Sequence, residues 1–329
     1  MLNVSLIYVA YYQLMKNRFI TCLLLFISFL GHCQFGPNDQ LTYLNSSKNI
    51  CTSENYEYIL AIKDYKTIKD LYDVAIYYKN GQQEMRGISS NKNNLNLEGS
   101  CVYFYKNGSR MKIANYVNNK LIGKQFEWYK NGNIKSETEI VYNKKNKKET
   151  IRIVQYWDEN KIQKVVDGEG EMEQQEGDLN ATSHGPIKNF VKEGKWEGTS
   201  KHPKLTFVEE YSNGELISGI SIDTLNNKYS YNDIFVKPKP RKGLKHFYNY
   251  VQNEIKNPST FETLVEGTIY FSFIIGIDGK IEDLKALNKD ELGLSDNAIQ
   301  IISQYKGWIP ASYRGVKFKL LNEIGIRFE

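Results

Sequence analysis

The alternation of apolar and polar residues in the last third of the chain predicts a half-buried β-strand over residues 267–277. Its apolar face would carry Ile269, Phe271, Phe273, Ile275 and Ile277, a period of two that is typical of a strand. Asp278-Gly279 follows, a pair that favours a tight hairpin turn at positive φ. A returning strand is therefore predicted from Ile281.

Two helical patterns flank this hairpin. The first ends at Asn257-Pro258, because proline disfavours a helical conformation in the residue before it. The second has Ser295 placed to cap it. Their apolar faces would consist of Leu244, Phe247, Tyr248, Val251 and Ile255 in the first helix, and of Leu294, Ala298, Ile301, Ile302 and Tyr305 in the second.

The end of the chain predicts one long strand, Val316 to Phe328. The inner face, interrupted by Asn322, would carry Val316, Phe318, Leu320, Ile324, Ile326 and Phe328, and the outer face Lys317, Lys319, Glu323 and Arg327. The order helix, strand, strand, helix, strand predicts a small three-stranded antiparallel sheet covered on one side by two helices.

This last quarter of the chain resembles the TonB C-terminal domain family. The motifs that carry the resemblance are Val265-Glu266-Gly267-Thr268, Asp278-Gly279-Lys280-Ile281, Leu294 to Ala298, Gly307-Trp308-Ile309-Pro310-Ala311, Arg314-Gly315-Val316 and Ile326-Arg327-Phe328. One departure is Asn257-Pro258, where the family usually has Tyr-Pro. The resemblance implies a periplasmic protein of Gram-negative bacteria, in which a strand pairs with a short peptide from an outer-membrane transporter.

A repeat precedes this region. Tyr78-Lys79-Asn80-Gly81 recurs at Tyr105 and at Tyr129, with spacings of 27 and 24 residues. Looser copies begin at Tyr156 and Tyr211. Each Asn-Gly joins two strand-like runs, which predicts a series of β-hairpins.

These hairpins resemble the MORN-repeat family, with a Tyr-x-Asn-Gly turn and a following Gly-Lys-aromatic strand at 123–126 and 194–196. The resemblance implies stacked hairpins that share one elongated sheet, because one hairpin is too small to bury its own face. Trp128, Trp157 and Trp196 are expected to be stacking core rather than a platform for a sugar or nucleotide. The acidic stretch 167–178 interrupts the pattern and lacks the residue order of a calcium loop, so a solvated loop is expected there.

The N-terminal 33 residues are typical of a secretory signal. Met15-Lys16-Asn17-Arg18 precedes 12 uncharged residues, Phe19 to Leu30. Cleavage is expected between Cys33 and Gln34, and a start at Met15, with residues 1–14 added by an upstream start codon, is an alternative to the start at Met1. An uncleaved membrane anchor and lipidation at Cys33 are the two alternatives. In an oxidising compartment the remaining Cys51 and Cys101 either form a disulfide or are two buried thiols.

The domain prediction follows from these patterns. An extended, charged linker is predicted at Lys237-Pro238-Lys239-Pro240-Arg241-Lys242-Gly243. The predicted segments are a signal (1–33), an N-terminal segment (34–73), a hairpin-repeat domain (74–232), a linker (233–243) and the C-terminal domain (244–329). The predicted fold class is mainly β with an α+β C-terminal domain.

Charge and motifs narrow the function. The formal net charge of +5 is too small to indicate nucleic-acid binding. Neither a nucleophile elbow, a phosphate loop nor a zinc-protease helix is present, and the four histidines are scattered. We therefore expect no catalytic activity, no metal site and no bound cofactor.

A strand of the predicted length at the edge of a three-stranded sheet leaves backbone groups open to strand addition. The predicted partner-binding residues are Val316, Lys317, Phe318, Lys319, Leu320, Leu321, Asn322 and Arg327. The lysines and Arg327 would favour an acidic partner. The main functional hypothesis is a periplasmic adaptor that binds an envelope protein or transporter peptide. The alternatives are an envelope scaffold in which the repeat sheet binds, a strand that merely completes its sheet, and a homodimer through this strand.

Overall fold

The computed structural model describes residues 35–143, 148–176, 180–254, 267–288 and 294–328. The predicted signal with Cys33 and the Asn257-Pro258 helix end lie outside these residues. The described chain is mainly β and contains two helices, which confirms the predicted fold class at this level. No helix of the described part is both long and apolar enough to cross a membrane.

The chain divides into two compact units. The described residues up to 135 and between 139 and 150 form the first, and the described residues 136–138 and those from 151 onward form the second. The second unit contains both the later hairpins and the C-terminal helices, and the predicted boundary near residue 233 stays a prediction.

Consecutive antiparallel strands build the first unit. The strands are β1 Gln40–Leu44, β2 Tyr58–Ile62, β3 Tyr72–Tyr78, β4 Gln83–Ser89, β5 Leu97–Phe104, β6 Arg110–Val117, β7 Lys120–Trp128 and β8 Ile134–Asn143, of which β8 has residues in both units. From β1 to β7 each strand pairs with the next. One face of β2–β5 buries Ile62, Tyr72, Val74 and Met85.

The Tyr-x-Asn-Gly turns at 78–82 and 105–109 join paired antiparallel strands, as predicted, and they share one pattern of hydrogen bonds. Gly81 N–H donates to the Tyr78 carbonyl (2.8 Å), and Tyr78 N–H donates to the Gln82 carbonyl (2.8 Å). Gly81 has φ +82°, whereas Asn80 has no positive φ. This is a type I turn followed by a left-handed glycine. The turns at 105–109, 129–133 and 276–280 repeat the same hydrogen bonds.

The second unit continues as an antiparallel sheet. Its strands are β9 Lys148–Trp157, which has residues in both units, β10 Gln163–Val166, β11 Glu169–Glu176, β12 Ala181–Lys188, β13 Val191–Lys192, β14 Gly194–Lys201, β15 Lys204–Ser212, β16 Glu215–Asp223 and β17 Lys228–Tyr231. The acidic stretch is not a solvated loop over residues 169–176, which form β11 and pair with β12 from Gly170 to Glu176. Glu169, Glu171 and Glu173 of this strand are exposed, and residues 177 and 178 lie outside the described residues.

Only part of the tryptophan prediction holds. Trp196 is fully buried and packs with Tyr156, Val165, Ile187 and Tyr211. Trp128 and Trp157 are half-buried. The guanidinium carbon of Arg110 lies over Trp128, 4.9 Å from the centroid of the tryptophan ring. The predicted core packing is therefore confirmed for Trp196. For Trp128 and Trp157 the prediction is incomplete, because both side chains are only half-buried.

The C-terminal part of the second unit contains the two helices and three small sheets. The elements are β18 Phe235–Val236, β19 Lys239–Pro240, α1 Leu244–Glu254, β20 Gly267–Ile275, β21 Ile281–Ala286, α2 Leu294–Gln304, β22 Trp308–Ile309, β23 Ala311–Tyr313, β24 Val316–Phe318 and β25 Leu320–Phe328. One sheet has the order β21-β20-β25. Its core includes Phe247, Val251, Ile269, Phe271, Phe273, Ile275, Leu294, Ala298, Ile302 and Trp308, largely the predicted faces.

The predicted linker is extended but is not free. Val236 in β18 pairs with Ser312 in β23, and Pro240 in β19 pairs with Trp308 in β22. Arg241 N–H also donates to the Gly307 carbonyl (2.8 Å). The alternating prolines fit because such short edge strands tolerate a missing donor.

The two cysteines of the described chain are free thiols. Cys101 in β5 is fully buried, with its sulfur packed against Gly87 of the neighbouring strand. Cys51 is half-buried in the loop after β1, where its N–H donates to the Tyr43 carbonyl (3.0 Å). The predicted disulfide is therefore absent from the structure, because each cysteine belongs to a separate local environment.

Candidate functional site: the C-terminal edge strand and the Arg314 hairpin

β25 is an edge strand. It pairs with β20 along its entire length, from Leu320 opposite Ile275 to Phe328 opposite Gly267. β20 pairs with β21 on its other side, and no further strand of the described chain pairs with β25. One side of a strand of nine residues is therefore open in this sheet.

The single predicted strand Val316 to Phe328 is wrong. It consists of two strands in different sheets, β24 and β25, separated at Lys319. β24 folds back on β23, with Val316 opposite Tyr313. The alternating pattern continues through the break because both strands have a period of two, so the change of sheet leaves no mark in the sequence.

The predicted binding residues are consequently divided. Val316, Lys317 and Phe318 lie in β24, where Phe318 contacts the Phe235 ring at a centroid distance of 6.0 Å. Leu320, Leu321, Asn322 and Arg327 lie in β25. These two groups do not form one continuous edge.

The side chains near the open edge carry less free positive charge than predicted. Lys319 forms an ion pair with Glu282, and its hydrogen bond to that carboxylate raises the pKa of Lys319. Lys317 is exposed. Leu321 is 57% exposed, whereas Asn322 donates to the Leu320 carbonyl (3.0 Å). The open edge therefore presents the apolar side chain of Leu321 beside Lys319, whose charge is compensated by Glu282.

The hairpin before β25 is held by a buried arginine. Arg314 and Gly315 form the two-residue turn between β23 and β24, with φ +46° and +81°. A left-handed conformation costs a non-glycine residue roughly 1 kcal/mol. The Arg314 side chain is fully buried. Contacts of this side chain must therefore offset the cost of the left-handed backbone conformation.

Two carboxylates surround the Arg314 guanidinium. Arg314 Nε donates to Glu209 Oε1 (2.8 Å). Its Nη2 donates to Glu176 Oε1 (2.8 Å) and its Nη1 to Glu176 Oε2 (3.1 Å), a bidentate pair of the strong kind. Glu209 is also fully buried and accepts hydrogen bonds from the hydroxyls of Tyr211 and Tyr231, both at 2.9 Å.

The charges of this cluster stabilise one another. The Arg314 guanidinium carbon lies 3.6 Å from the centroid of the Phe207 ring. Burial opposes the charge of Arg314, yet Glu176 and Glu209 raise the pKa of this arginine above its usual range. Burial would raise the pKa of Glu176, but the Arg314 hydrogen bonds and charge outweigh it and lower that pKa.

A second cation lies close to this cluster. Lys192 Nζ is 3.9 Å from the Trp196 ring centroid and 4.7 Å from that of Tyr211. Burial lowers the pKa of Lys192 to about 8, against the raising effect of Glu209 and Glu176. Lys192 is therefore a half-buried lysine whose charged form is disfavoured by its surroundings.

The sequence patterns identified Arg314 only as part of a motif and did not identify Glu209. The signal for Glu209 was present, because Leu205, Phe207, Glu209 and Tyr211 alternate along one strand face. An acid at an inward position of such a face needs a buried counter-charge. Its partner, 105 residues away in sequence, could not be identified from the pattern.

The described chain contains no cluster of three or more His, Cys, Asp or Glu residues able to hold a metal ion. Comparisons with family models, with curated proteins and with solved structures gave no match. The resemblances to the TonB C-terminal domain and to MORN repeats therefore stay predictions.

Proposed function

We propose that this protein is a periplasmic, TonB-like adaptor that binds an extended peptide of an outer-membrane transporter or other envelope protein. The peptide adds as a strand to the open edge of β25. The observation that carries this proposal is the pairing of β25, which is complete with β20 and absent on its other side within the described chain. An open edge supplies backbone donors and acceptors for such a partner.

The contacts near the edge suggest what the peptide would offer. Leu321 exposes 57% of its surface, and Lys319 is neutralised by Glu282. The peptide would therefore contribute apolar side chains at alternate positions, with Lys317 as an exposed contact for an acidic residue. The buried Arg314 turn would keep the preceding hairpin in a fixed position.

The proposal is tested by photo-crosslinking. A benzophenone amino acid at position 321 should crosslink in cells to one extended segment of an envelope protein, and the same probe at exposed Ile277 should not. A synthetic peptide of that segment should bind the purified protein, and N-methylation at alternate residues should abolish binding because it removes backbone donors. Equal affinity for the methylated peptide would contradict strand addition.

A second candidate is a MORN-repeat envelope scaffold without a role in energy coupling. It is favoured by the identical turns at 78–82, 105–109 and 129–133, which build a regular sheet suited to presenting a surface. Crosslinking from exposed Ile122 in β7, rather than from position 321, would favour this scaffold.

The proposed compartment has its own test. Mass spectrometry of the native protein should find a soluble chain that begins near Gln34. An intact N-terminus in the inner membrane would instead support an anchored, energy-transducing protein, and lipid on Cys33 would support a tethered one.

A further inference from the structure

The first unit contains a cavity of about 390 Å³ on the open face of β2 to β5. This lies within the range of about 300–1,000 Å³ usual for small-molecule sites. Its floor is low because Ala61 and Ala75 face each other across β2 and β3. Gly87 and Ser100 continue the floor on the next two strands. Small side chains at the centre of a sheet face leave space that larger residues would fill.

Aromatic and cationic side chains form two walls of this cavity. Phe35 lies edge-to-face against Tyr77, with ring centroids 5.8 Å apart. Arg86 is opposite Ala75 in the β3–β4 pair, and its guanidinium carbon lies 5.7 Å from the Phe104 ring centroid. The apolar floor is therefore bounded by rings on one side and by a stacked arginine on another.

A cation and an anion border the end of the cavity away from Tyr77. Lys63 N–H donates to the Asp73 carbonyl (3.0 Å), which makes the two residues cross-strand neighbours. Both side chains are exposed. Over the part of the chain that the structure describes, neither side chain forms an ion pair or a hydrogen bond. A ligand would therefore compete with water for these charges, and not with an existing contact.

Asp39, which also lines the cavity, is committed elsewhere. Its Oδ2 accepts from Gly36 N–H (2.7 Å) and its Oδ1 from Asp64 N–H (2.8 Å). These backbone hydrogen bonds lower the pKa of Asp39. They also fix the turn that follows Phe35. Asp39 keeps its negative charge and interacts electrostatically with Lys63, but its two oxygens already accept backbone hydrogen bonds, so the charged side chains at this end without a hydrogen bond are Lys63 and Asp73.

We propose that this cavity binds a zwitterionic α-amino acid with an apolar or aromatic side chain. Lys63 would receive the ligand carboxylate and Asp73 the ligand ammonium. The ligand side chain would lie over Ala61 and Ala75 towards Tyr77 and Phe35. A ligand with a single charge would form one charge-assisted hydrogen bond fewer with the protein, and would therefore bind more weakly.

The ligand chemistry is tested with three probes of the same shape. L-Phenylalanine carries both charges, 3-phenylpropionate lacks the ammonium and phenethylamine lacks the carboxylate. In titration calorimetry of the full-length protein, L-phenylalanine should bind roughly tenfold or more tightly than either analogue, the effect of one charged hydrogen bond. Equal binding of all three, or no heat with L-phenylalanine at millimolar concentration, would overturn the proposal.

Variants locate the site. Lys63→Gln and Asp73→Asn should each weaken L-phenylalanine binding about tenfold, and Ala75→Leu should abolish it by filling the floor. The matched surface changes Lys120→Gln and Glu54→Gln should have no effect. The double exchange Lys63→Asp with Asp73→Lys should restore binding, because both charges remain available. Unchanged affinity in folded Ala75→Leu protein would show that the ligand binds elsewhere.

Discussion

The repeated turns of the first unit and the Arg314 cluster of the second unit stabilise β-hairpins by opposite means. Along the repeat, the Tyr78 hydroxyl donates to the Phe104 carbonyl (2.9 Å) and the Tyr105 hydroxyl to the Trp128 carbonyl (2.8 Å). Asn80 and Asn107 add bonds from their amides to the carbonyls of Lys106 and Lys130. Each hairpin is thus joined to the next by the same neutral, half-buried contacts.

The Arg314 hairpin instead depends on one side chain. Arg314 supplies donors to both Glu176 and Glu209, and the Arg314 carbonyl accepts from the Ser221 hydroxyl (2.6 Å). Removal of one neutral bond in a repeated series leaves the others in place. Removal of a buried charge leaves its partners unpaired. The comparison therefore predicts graded losses in the first unit and a single large loss in the second.

Arg314→Met should have the largest effect. It removes the cation that is hydrogen-bonded to the fully buried Glu209, so we expect a loss of about 3–5 kcal/mol in the free energy of unfolding. Urea denaturation measures it. Adding Glu209→Gln should recover part of the loss. Arg110→Met, which removes a guanidinium stacked on half-buried Trp128, is the control and should cost under about 1 kcal/mol. A similar cost for both arginines would remove the contrast between the units.

Lys192→Met should stabilise the protein in a pH-dependent way. Because the pKa of Lys192 in the folded protein is about 8, the folded state holds fewer protons than the unfolded state between pH 8 and the ordinary lysine value of 10.5. Wild-type stability should therefore rise with pH in this window. The variant should be more stable at pH 7, by up to about 3 kcal/mol, and this advantage should shrink by pH 9.5. An advantage that does not change with pH would contradict the buried-ammonium explanation.

Tyr105→Phe should cost about 1 kcal/mol, because it removes one neutral hydroxyl-to-carbonyl bond. Tyr78→Phe should cost a similar amount, and the double variant should cost close to the sum, since each bond joins a different pair of hairpins. Tyr142→Phe removes an exposed hydroxyl and serves as the control. A loss in the double variant far above the sum would indicate that the repeat behaves like the Arg314 cluster.

Asn107→Ala should have the smallest effect, a loss of about 0.5–1 kcal/mol. Its amide bond to the Lys130 carbonyl is long (3.3 Å), and its carbonyl oxygen accepts from Ser109 N–H (3.1 Å) in an exposed turn. Thermal unfolding should therefore show a small decrease in midpoint. Asn94→Ala, which removes an exposed amide outside these turns, is the control. A loss as large as that of Tyr105→Phe would mean that the Asn107 hydrogen bonds stabilise the protein as much as the bond from the Tyr105 hydroxyl to the Trp128 carbonyl.

Local patterns predicted much of the fold because their causes are local. The alternation at Ile269, Phe271, Phe273 and Ile275 identified the core face of β20, and all four are buried. The face of α2 was predicted for the same reason. The position of Ile277 was wrong: it is 55% exposed, because the strand ends at Ile275 and the turn begins at Gly276.

The candidate sites depended on contacts between distant residues. The break at Lys319 separates two strands whose patterns run on without interruption, so only their pairing partners, β23 and β20, distinguish them. Likewise, the prolines of the linker correctly predicted an extended chain. The strands β18 and β19, however, pair with residues 308–313, which are some 70 positions further along the chain.

The sequence by itself determined which segments become strands and helices, where most turns occur, and which faces are apolar. These properties arise from the period of side chains and from the backbone preferences of residues such as Gly81. The tertiary structure alone decided that Arg314 meets Glu176 and Glu209, that β25 keeps an open edge, and that Lys63 and Asp73 border one cavity. Such encounters depend on which strands pair in three dimensions, and periodicity contains no information about a partner far away in the chain.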